Sequence, residues 1–457
     1  MERKGNAFTG ITLIAISLIS GCGDGGNSTT PPSTTPRSWS NAHLIEFSDV
    51  GTTATPQIAF DNSGNALAVW SQTGPIGAYT NIMASRYVTG SGWDLSPQAI
   101  NNSGGHAQNP QIAFAANGNA VAVWQQHDGT RYNIWANDYQ SGSGWQTARL
   151  VETDTGDARV PQITVIPGSG IAFAIWRQFD GVSLYHIWAN RYVPGSGWET
   201  PQLLQSDTYD ANTPQIAVDC NGNATAVWMQ LDVSGTRNDI WSSRYQEGTG
   251  WLMAQTQTIE SDTGSAQNPQ LGIDITGNAI VIWEQFDGTR LNIQSNRYDT
   301  TTGWGTPEFV ENNNTGPAYT PQIAVSADGS AMAIWSHYDG TRFNIQSNSY
   351  SPTTGWGTAV LMEKDDTGDA LIPQISLAST GDAFAVWKQS DGNRYNIQAN
   401  RYTSGTGWGT SELIEHDDTS DVVDPQIAVD KNGNALAIWI QNDGADIHDD
   451  TWVNRFK

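Results

Sequence analysis

The chain has 457 residues, with 46 acidic side chains against 21 lysines and arginines, and its formal net charge at pH 7 is −25. A surface this acidic repels phosphate groups, which argues against nucleic acids and anionic membrane surfaces as direct partners. The 20 tryptophans all fall into three repeated sequence frames, so none is left over for a unique role.

The N-terminus is typical of a bacterial secretion signal. A short apolar stretch, 11–19, follows two basic residues and is too short to span a bilayer. The sequence Leu-Ile-Ser-Gly-Cys at 18–22 resembles the bacterial lipobox, in which the cysteine is lipidated and becomes the mature N-terminus. The resemblance implies lipidation of Cys22. Because residue 23 is Gly rather than Asp, it also implies sorting to the outer membrane or cell surface of the bacterial envelope.

The residues after this cysteine have the composition of a tether. Residues 22–37 are rich in Gly, Ser, Thr and Pro, which favours a flexible chain over a packed one. We therefore predict a signal peptide over 1–21, a lipidated tether over 22–37 and a folded body over 38–457. The membrane contact is predicted to be through the lipid alone.

A Pro-Gln pair recurs every 51 to 55 residues and divides the body into eight units. The prolines are Pro56, Pro110, Pro161, Pro214, Pro269, Pro321, Pro373 and Pro425. Each unit holds four short segments with alternating apolar residues, bounded by Gly, Asn, Asp or Ser, which is the pattern of strands. Four antiparallel strands repeated at this period are typical of propeller blades. The sequence predicts an all-β, eight-bladed β-propeller of four-stranded antiparallel blades.

The alanine-rich second segment of each unit indicates how the blades pack. In the last unit, Ala435, Ala437 and Trp439 share one face of the strand, and Leu436 and Ile438 share the other. Both faces are apolar, so the sheet is expected to be covered on both sides. Small alanines allow the neighbouring blade to approach, and the tryptophan fills the wider part of the wedge.

The two ends of the body are offset by one strand. Residues 38–46 match a fourth segment such as 407–415, whereas 450–456 match a third segment such as 396–402. Pairing of the N-terminal strand with the last three strands would close the ring and remove the exposed sheet edges. An open array of β units is the alternative.

The connections place candidate ligand residues on one face of the disc. The crossovers from the fourth strand to the next Pro-Gln should emerge beside the second-to-third loops, on what we name the upper face. The crossovers are acidic, as at 152–157, 363–369 and 415–421, and the loops repeat Gln-x-Asp-Gly-x-Arg. The candidate binding residues are Gln126, Asp128, Arg131, Gln285, Asp287, Arg290, Asp339, Arg342, Gln389, Asp391 and Arg394.

The repeated loop motif has two interpretations. Asp-Gly can simply form the turn while Arg pairs locally, and most of the repetition would then reflect packing. Alternatively, Gln, Asp and Arg form polar pockets beside aromatic residues such as Tyr132 and Tyr395, an arrangement suited to sugars. The motif is not uniform, because His337 replaces the Gln in one unit and the first unit has no such Asp.

Metal and catalytic signatures are weak. No unit has the Asp-x-Asp-x-Asp-Gly spacing of a calcium loop, and the seven histidines form no ligand pattern. No cofactor is therefore predicted. The acidic composition is compatible with calcium binding but is only a weak signal for it. A propeller enzyme needs different residues from different blades, as sialidase-like propellers do with their central arginines, and no set that breaks the repeat stands out. The sequence therefore predicts a non-enzyme.

Repeats of the form Pro-Gln-Ile-Ala, Gly-Asn-Ala-x-Ala-x-Trp and Asn-Arg-Tyr over 38–457 resemble those of uncharacterised bacterial surface lipoproteins. The leading hypothesis is a monomeric, tethered, non-catalytic module that binds a glycan or polysaccharide multivalently on the upper face. A scaffold for envelope proteins is one alternative. A glycosidase or lyase acting on a polysaccharide is the other.

Overall fold

The computed structural model describes residues 37–46, 51–74, 78–102, 104–205, 209–313, 315–363, 367–415, 420–444 and 448–457. The predicted signal peptide, Cys22 and nearly all of the tether lie outside these ranges. The described part contains one short 3-10 helix, Met253–Gln255, and otherwise strands and turns. Within it, no helix is long and apolar enough to cross a membrane.

Eight antiparallel sheets are arranged in a ring, and each contains three long strands. The innermost strands are Thr53–Phe60, Ala107–Phe114, Ala158–Val165, Ala211–Val218, Ala266–Ile273, Ala318–Val325, Ala370–Leu377 and Val422–Val429. The second strands are Ala66–Thr73, Ala120–His127, Ala172–Phe179, Ala224–Leu231, Ala279–Phe286, Ala331–Tyr338, Ala383–Ser390 and Ala435–Gln441. The third strands are Thr80–Val88, Tyr132–Gln140, Tyr185–Val193, Asn238–Gln246, Leu291–Asp299, Phe343–Ser351, Tyr395–Thr403 and Asp450–Phe456. We number the sheets as blades 1 to 8 in this order, and the predicted eight-bladed propeller is confirmed.

The outer strand of a blade consists of two short pieces. In blades 1 to 7 these pieces are Gly92–Trp93 and Gln98–Ala99, Gly144–Trp145 and Arg149–Leu150, Gly197–Trp198 and Gln202–Leu203, Gly250–Trp251 and Gln257–Thr258, Gly303–Trp304 and Glu308–Phe309, Gly355–Trp356 and Val360–Leu361, and Gly407–Trp408 and Glu412–Leu413. An asparagine of the third strand explains the break. The Asn137 Nδ2 donates to the carbonyl of Gln146, at 2.9 Å, and to that of Ile100 in the preceding blade, at 2.8 Å. The amide thus fixes the outer strand where the backbone ladder is interrupted, which accounts for the asparagine that recurs at this position in most blades.

The last blade takes its outer strand from the N-terminus. His43–Leu44 pairs antiparallel with Asp450–Phe456, and Trp39 forms a further bridge to Phe456. Arg37 donates from Nη2 to the Gly433 carbonyl at 2.6 Å and lies over the Phe456 ring. The chain therefore enters the ring at the first-to-second turns, on the face opposite the upper one, which we name the lower face.

The core lies between the blades, as the alternating pattern predicts. Trp70 and Ala68 of blade 1 pack against Leu436 and Ile438 of blade 8 in one buried cluster. The equivalent tryptophans of all eight second strands are fully buried: Trp70, Trp124, Trp176, Trp228, Trp283, Trp335, Trp387 and Trp439. Each blade therefore offers an alanine–tryptophan face to its predecessor and a branched aliphatic face to its successor.

Each innermost strand begins before the predicted segment and is interrupted by a β-bulge at its proline. The residue before the proline has a positive φ in every blade: Thr55, Asn109, Val160, Thr213, Asn268, Thr320, Ile372 and Asp424. Five of these residues are β-branched, for which this conformation is strained. Contacts between blades hold it, since the N–H of Val160 donates to Gln125 Oε1 at 3.0 Å and that of Thr320 donates to Glu284 Oε1 at 2.8 Å.

Replacing Ile372 with asparagine is expected to raise the free energy of unfolding by about 0.5–1 kcal/mol, because asparagine tolerates a positive φ and a half-buried isoleucine loses little on removal. The reciprocal change Asn109→Ile, at the same φ of 53°, should lower it by a similar amount. Urea denaturation of both variants checks this, and a destabilised Ile372→Asn protein would contradict it.

Candidate functional site

The glutamines of the predicted loop motif are structural. Gln126 Oε1 accepts a hydrogen bond from the Trp124 indole at 3.0 Å, and its Nε2 donates to the Asn102 carbonyl at 2.9 Å. Gln285 and Gln389 make the same pair of bonds with their own tryptophans and with the crossover backbone. All three side chains are buried, so they join the blade core to the crossover and are not offered to a ligand.

The aspartates of these loops are exposed at the loop tips and organise their own turns. Asp128 accepts hydrogen bonds from the hydroxyl and N–H of Thr130, from the N–H of Arg131 and from the Asn133 amide. These donors, the Thr130 hydroxyl first, hold the pKa of Asp128 well below its usual range. Asp287 and Asp339 form the same turn, and Asp391 forms a reduced version.

The arginines of the motif bond within their own blade or to the adjoining crossover. Arg131 Nη1 donates to the carbonyls of Asp154 and Gly156, and its Nε is 3.9 Å from Asp128 Oδ2. Arg290 Nε donates to Asn292 Oδ1 at 3.0 Å. Arg342 and Arg394 occupy the same position in blades 6 and 7, where their own N–H groups donate to Asp339 and Asp391. The structure thus brings the Asp and Arg of each motif together within one loop.

A different set of residues breaks the symmetry, where the innermost and second strands meet on the upper face. Each blade contributes one cross-strand pair just before its bulge, and the residue types differ from blade to blade. In order from blade 1 the pairs are Ala54 and Ser71, Gln108 and Gln125, Arg159 and Arg177, Asn212 and Met229, Gln267 and Glu284, Tyr319 and Ser336, Leu371 and Lys388, and Val423 and Ile440. We name this ring the axial mouth.

Blade 3 makes one side of the axial mouth strongly cationic. Arg159 Cζ lies 4.3 Å from the centroid of the Tyr132 ring, and Arg177 Cζ lies 4.5 Å from that of Tyr185. The side chain of Arg159 is 36% exposed. Cations over aromatic faces are held in place while their outer N–H groups stay available.

Two carboxylates lie near these groups, and one of them, Asp210, accepts a hydrogen bond from the Tyr185 N–H at 2.8 Å and acts on the charge of Arg177. Asp157 forms an ion pair with Arg159 and accepts a hydrogen bond from the Tyr185 hydroxyl at 3.3 Å. Arg177 has no ion pair of this kind, and its buried Nε has no hydrogen-bond partner among the described residues. Burial lowers the pKa of Arg177. Arg177 thus adds a half-buried positive charge beside the Tyr185 ring.

The opposite side of the axial mouth, in blades 6 and 7, also combines a cation with aromatic rings. Lys388 Nζ lies 4.6 Å from the centroid of Tyr395. The Tyr319 and Phe343 rings are 5.8 Å apart in an edge-to-face arrangement. Tyr132 and Tyr395, which the sequence singled out as possible sugar platforms, thus both lie under cations at the mouth.

The carboxyl group of Glu284 in blade 5 is buried and fully engaged. It accepts hydrogen bonds from Gln267 Nε2 at 2.7 Å, from Asn268 Nδ2 at 3.1 Å and from the Thr320 N–H at 2.8 Å. Burial raises its pKa. Glu284 therefore joins blade 5 to blade 6 and takes no direct part in binding.

A pair of buried acidic residues lies under the loop of blade 4. Asp239 and Glu260 are 5% and 8% exposed, and their carboxyl groups hydrogen-bond each other. Burial, together with the nearby Asp239 charge, raises the pKa of Glu260 to about 8. Arg237 Nε is 3.1 Å from Asp239 Oδ1. A pair this enclosed has no room for a sugar between its carboxyl groups, unlike the pair of a glycosidase.

One loop departs from the pattern at His337, which is buried in place of the usual glutamine. Its Nδ1 is 3.6 Å from Glu311 Oε2, and the Trp335 indole Nε1 below it has no hydrogen-bond partner among the described residues. Across the described ranges, no group of three or more His, Cys, Asp or Glu side chains could hold a metal ion.

The sequence did not single out Arg159, Arg177 or Lys388. The signal was present in the positions that vary between repeats, namely the two residues before each Pro-Gln and the residue between each Trp and Gln. The repeated positions of the sequence indicate the loops, whereas a unique site in a symmetric fold depends on the positions that are not repeated.

Solved structures with the same fold include proteins with quite different descriptions. An ulvan lyase of polysaccharide lyase family PL25, bound to -[GlcA(1-4)Rha3S]-, superposes with a TM-score of 0.51 at 10% identity, covering 80% of this chain and 96% of that one. The Dos1 propeller superposes with a TM-score of 0.51 at 9% identity, covering 92% of this chain and 95% of the Dos1 chain. A protein of unknown function from Dyadobacter fermentans superposes with a TM-score of 0.46 at 10% identity, covering 92% of this chain and 99% of that protein.

Comparisons at the level of sequence give no family. No protein-family model matches the chain, and a search of curated proteins yields no significant match. At identities near 10%, the structural similarities establish the propeller fold and leave the activity open.

Proposed function

We propose that this protein binds an acidic glycan at the axial mouth, with Arg177 and Arg159 as the anion-binding groups. The observation that carries the proposal is the stacking of both guanidinium groups on tyrosine rings at the part of the ring that breaks the repeat. Planar guanidinium groups suit the carboxylates and sulfates of acidic sugars, and the tyrosine rings add apolar surface for the sugar itself.

The net charge of the chain favours binding of a polyanion at one specific site over general attraction to the surface. With a net charge of −25, the protein repels polyanions except where cations are concentrated, so binding should depend on the few arginines at the mouth. The ulvan lyase of the same fold is described with a ligand of glucuronate and sulfated rhamnose. That ligand has the same acidic chemistry.

Arg177→Met is expected to lower the affinity for an acidic polysaccharide by about 10- to 100-fold, because a hydrogen bond to a charged group contributes about 1.5–3 kcal/mol. The measurement is calorimetric titration of the purified full-length protein with heparin, polygalacturonate and neutral dextran. Dextran should not bind, and added salt should weaken binding of the other two.

The matched control is Arg290→Met, which removes one positive charge from an upper-face loop outside the mouth. We expect it to leave affinity within about twofold of the original, since exposed loop charges contribute little. If Arg290→Met were as damaging as Arg177→Met, or if neither mattered, the axial mouth would not be the site. Capture of one protein partner by crosslinking on cells, with no glycan bound, would favour the scaffold alternative.

One observation favours a second function, cleavage of the bound chain by elimination. The Tyr185 hydroxyl donates to the Asp157 carboxylate, and the Arg177 guanidinium lies over the ring of the same tyrosine. A cation that neutralises a uronate carboxylate acidifies the adjacent C5–H, and a tyrosine with a neighbouring base can remove that proton. The electron pair then forms the C4=C5 double bond while the bond from C4 to the glycosidic oxygen breaks, and that oxygen leaves with the proton that the tyrosine returns. Release of unsaturated oligosaccharides, lost in Tyr185→Phe, would establish an enzyme. Binding without any product would leave a binding module.

A further inference from the structure

We infer that the axial mouth contains a second anion-binding subsite, formed by Lys388 over Tyr395, and that one acidic glycan chain crosses the mouth from this subsite to Arg177. The inference rests on the proposed function. It adds that the ligand is an oligosaccharide with acidic groups at more than one sugar, and that affinity depends on chain length.

The first support is the distribution of aromatic residues. The first residue of the third strand is aromatic in blades 2, 3, 6 and 7, and the residues are Tyr132, Tyr185, Phe343 and Tyr395. The corresponding residues of blades 1, 4 and 5 are Thr80, Asn238 and Leu291. In a ring of eight, blades 2 and 6 are opposite each other, and so are blades 3 and 7. The aromatic residues therefore form two groups that face each other across the axis.

The second support is that cations accompany both groups and are missing between them. Arg159 and Arg177 belong to blade 3, and Lys388 belongs to blade 7. The pairs of the intervening blades 4, 5, 8 and 1 carry amide, thioether, apolar and small polar side chains. Their one charged residue, Glu284, is 1% exposed and bonded within the blades. An anionic chain that crosses the mouth therefore meets positive charge at both ends. Between these ends, the cross-strand pairs present no exposed charged side chain.

The surroundings of Lys388 are compatible with anion binding. The acidic groups that face it are Asp421 and Asp424. Asp424 is bonded to the neighbouring blade, where it accepts a hydrogen bond from the N–H of Thr55. Burial lowers the pKa of Lys388, while these two charges oppose the change. Lys388 is half-buried beside its cross-strand neighbour Leu371.

Two subsites on one rigid ring make binding of the second acidic group intramolecular. Overall affinity then exceeds that of either subsite alone, provided that the chain is long enough to reach both. A disaccharide is too short to reach both subsites, whereas longer chains contact the blade 3 arginines and Lys388 together.

The experiment is calorimetric titration of the full-length protein and its variants with size-fractionated heparin oligosaccharides. In the unmodified protein, affinity should rise with chain length and then reach a plateau. Lys388→Met should weaken the longest chains by about tenfold and the disaccharide far less, which removes the length dependence. Arg177→Met should weaken every length.

A Lys388→Met protein that keeps the full length dependence would overturn the second subsite while leaving the proposed function intact. An Arg177→Met protein with unchanged affinity at every length would instead overturn the proposed function. Circular dichroism verifies that each variant is folded. Should Lys388→Met unfold, Tyr395→Leu is the replacement, with the same expected loss for long chains only.

Discussion

Replacing Trp283 with alanine is expected to lower the free energy of unfolding by about 3–5 kcal/mol, as for other large aromatic side chains removed from a core. The indole is fully buried between blades 4 and 5, against Val227 and Ile240. Its Nε1 also donates to Gln285 Oε1 at 2.8 Å, and Gln285 Nε2 donates onward to the Gly264 carbonyl at 2.9 Å. The substitution therefore leaves a cavity and a buried amide oxygen without its donor.

The effect should extend to the crossover, because Gly264 fits tightly against the second strand. A Cβ atom at Gly264 would lie 1.7 Å from the Phe286 carbonyl oxygen. Chemical denaturation measures the loss. Trp304→Ala is the control, because that indole is half-buried and packs on the Tyr298 ring. This substitution should lower the free energy of unfolding by at most about 2 kcal/mol. Equal losses in the two variants would contradict the role assigned to the inter-blade tryptophans.

The stability of the protein is expected to fall as the pH rises from about 4.5 to about 8, because of Glu260. The folded protein keeps the Glu260 proton up to a pKa of about 8, whereas the unfolded chain releases it near 4.5. The folded state therefore binds one proton more in this interval, and the free energy of unfolding decreases with pH across it. A shift of this size corresponds to a change on the order of 4 kcal/mol.

Two substitutions separate this contribution from other titrating groups. Glu260→Gln removes the proton-binding group, so the variant should match the original protein near pH 4 and exceed its stability near pH 8. Asp239→Asn introduces the residue that blades 1, 2, 5, 6 and 7 carry at this position, and it should lower the pKa of Glu260 by removing the adjacent charge. Thermal unfolding across this pH range checks both, and identical pH profiles for all three proteins would refute the assignment.

Much of the architecture follows from the sequence because it depends on repeated local patterns. The alternation of Ala435, Ala437 and Trp439 specifies which face of the second strand is buried, and Pro-Gln marks each innermost strand. The bulge at that proline was not predicted, since a β-branched residue before Pro favours an extended conformation in isolation. Contacts such as that of Val160 with Gln125, which belongs to the preceding blade, stabilise it instead.

The candidate site could be predicted only in part. The sequence identified Tyr132 and Tyr395 and the upper face, because strand order alone determines which loops share a face. It did not bring Arg177 to Tyr185 or Asp239 to Glu260, since these contacts depend on cross-strand register and on the path of the crossovers. The Gln-x-Asp-Gly-x-Arg loops are the most regular polar motif of the sequence, yet their hydrogen bonds are made within the loops and to the crossovers.

The clamp at Arg37 has a consequence for how the molecule would be presented at a cell surface. Its guanidinium is bound to the Asn432 and Gly433 carbonyls in a first-to-second turn, so the chain leaves the disc on the side away from the axial mouth. Fifteen residues separate Arg37 from Cys22, and fully extended they reach about 50 Å. In a molecule anchored at Cys22, the tether would therefore join the disc at its lower face, on the side opposite the axial mouth, which leaves the mouth open to long polymers.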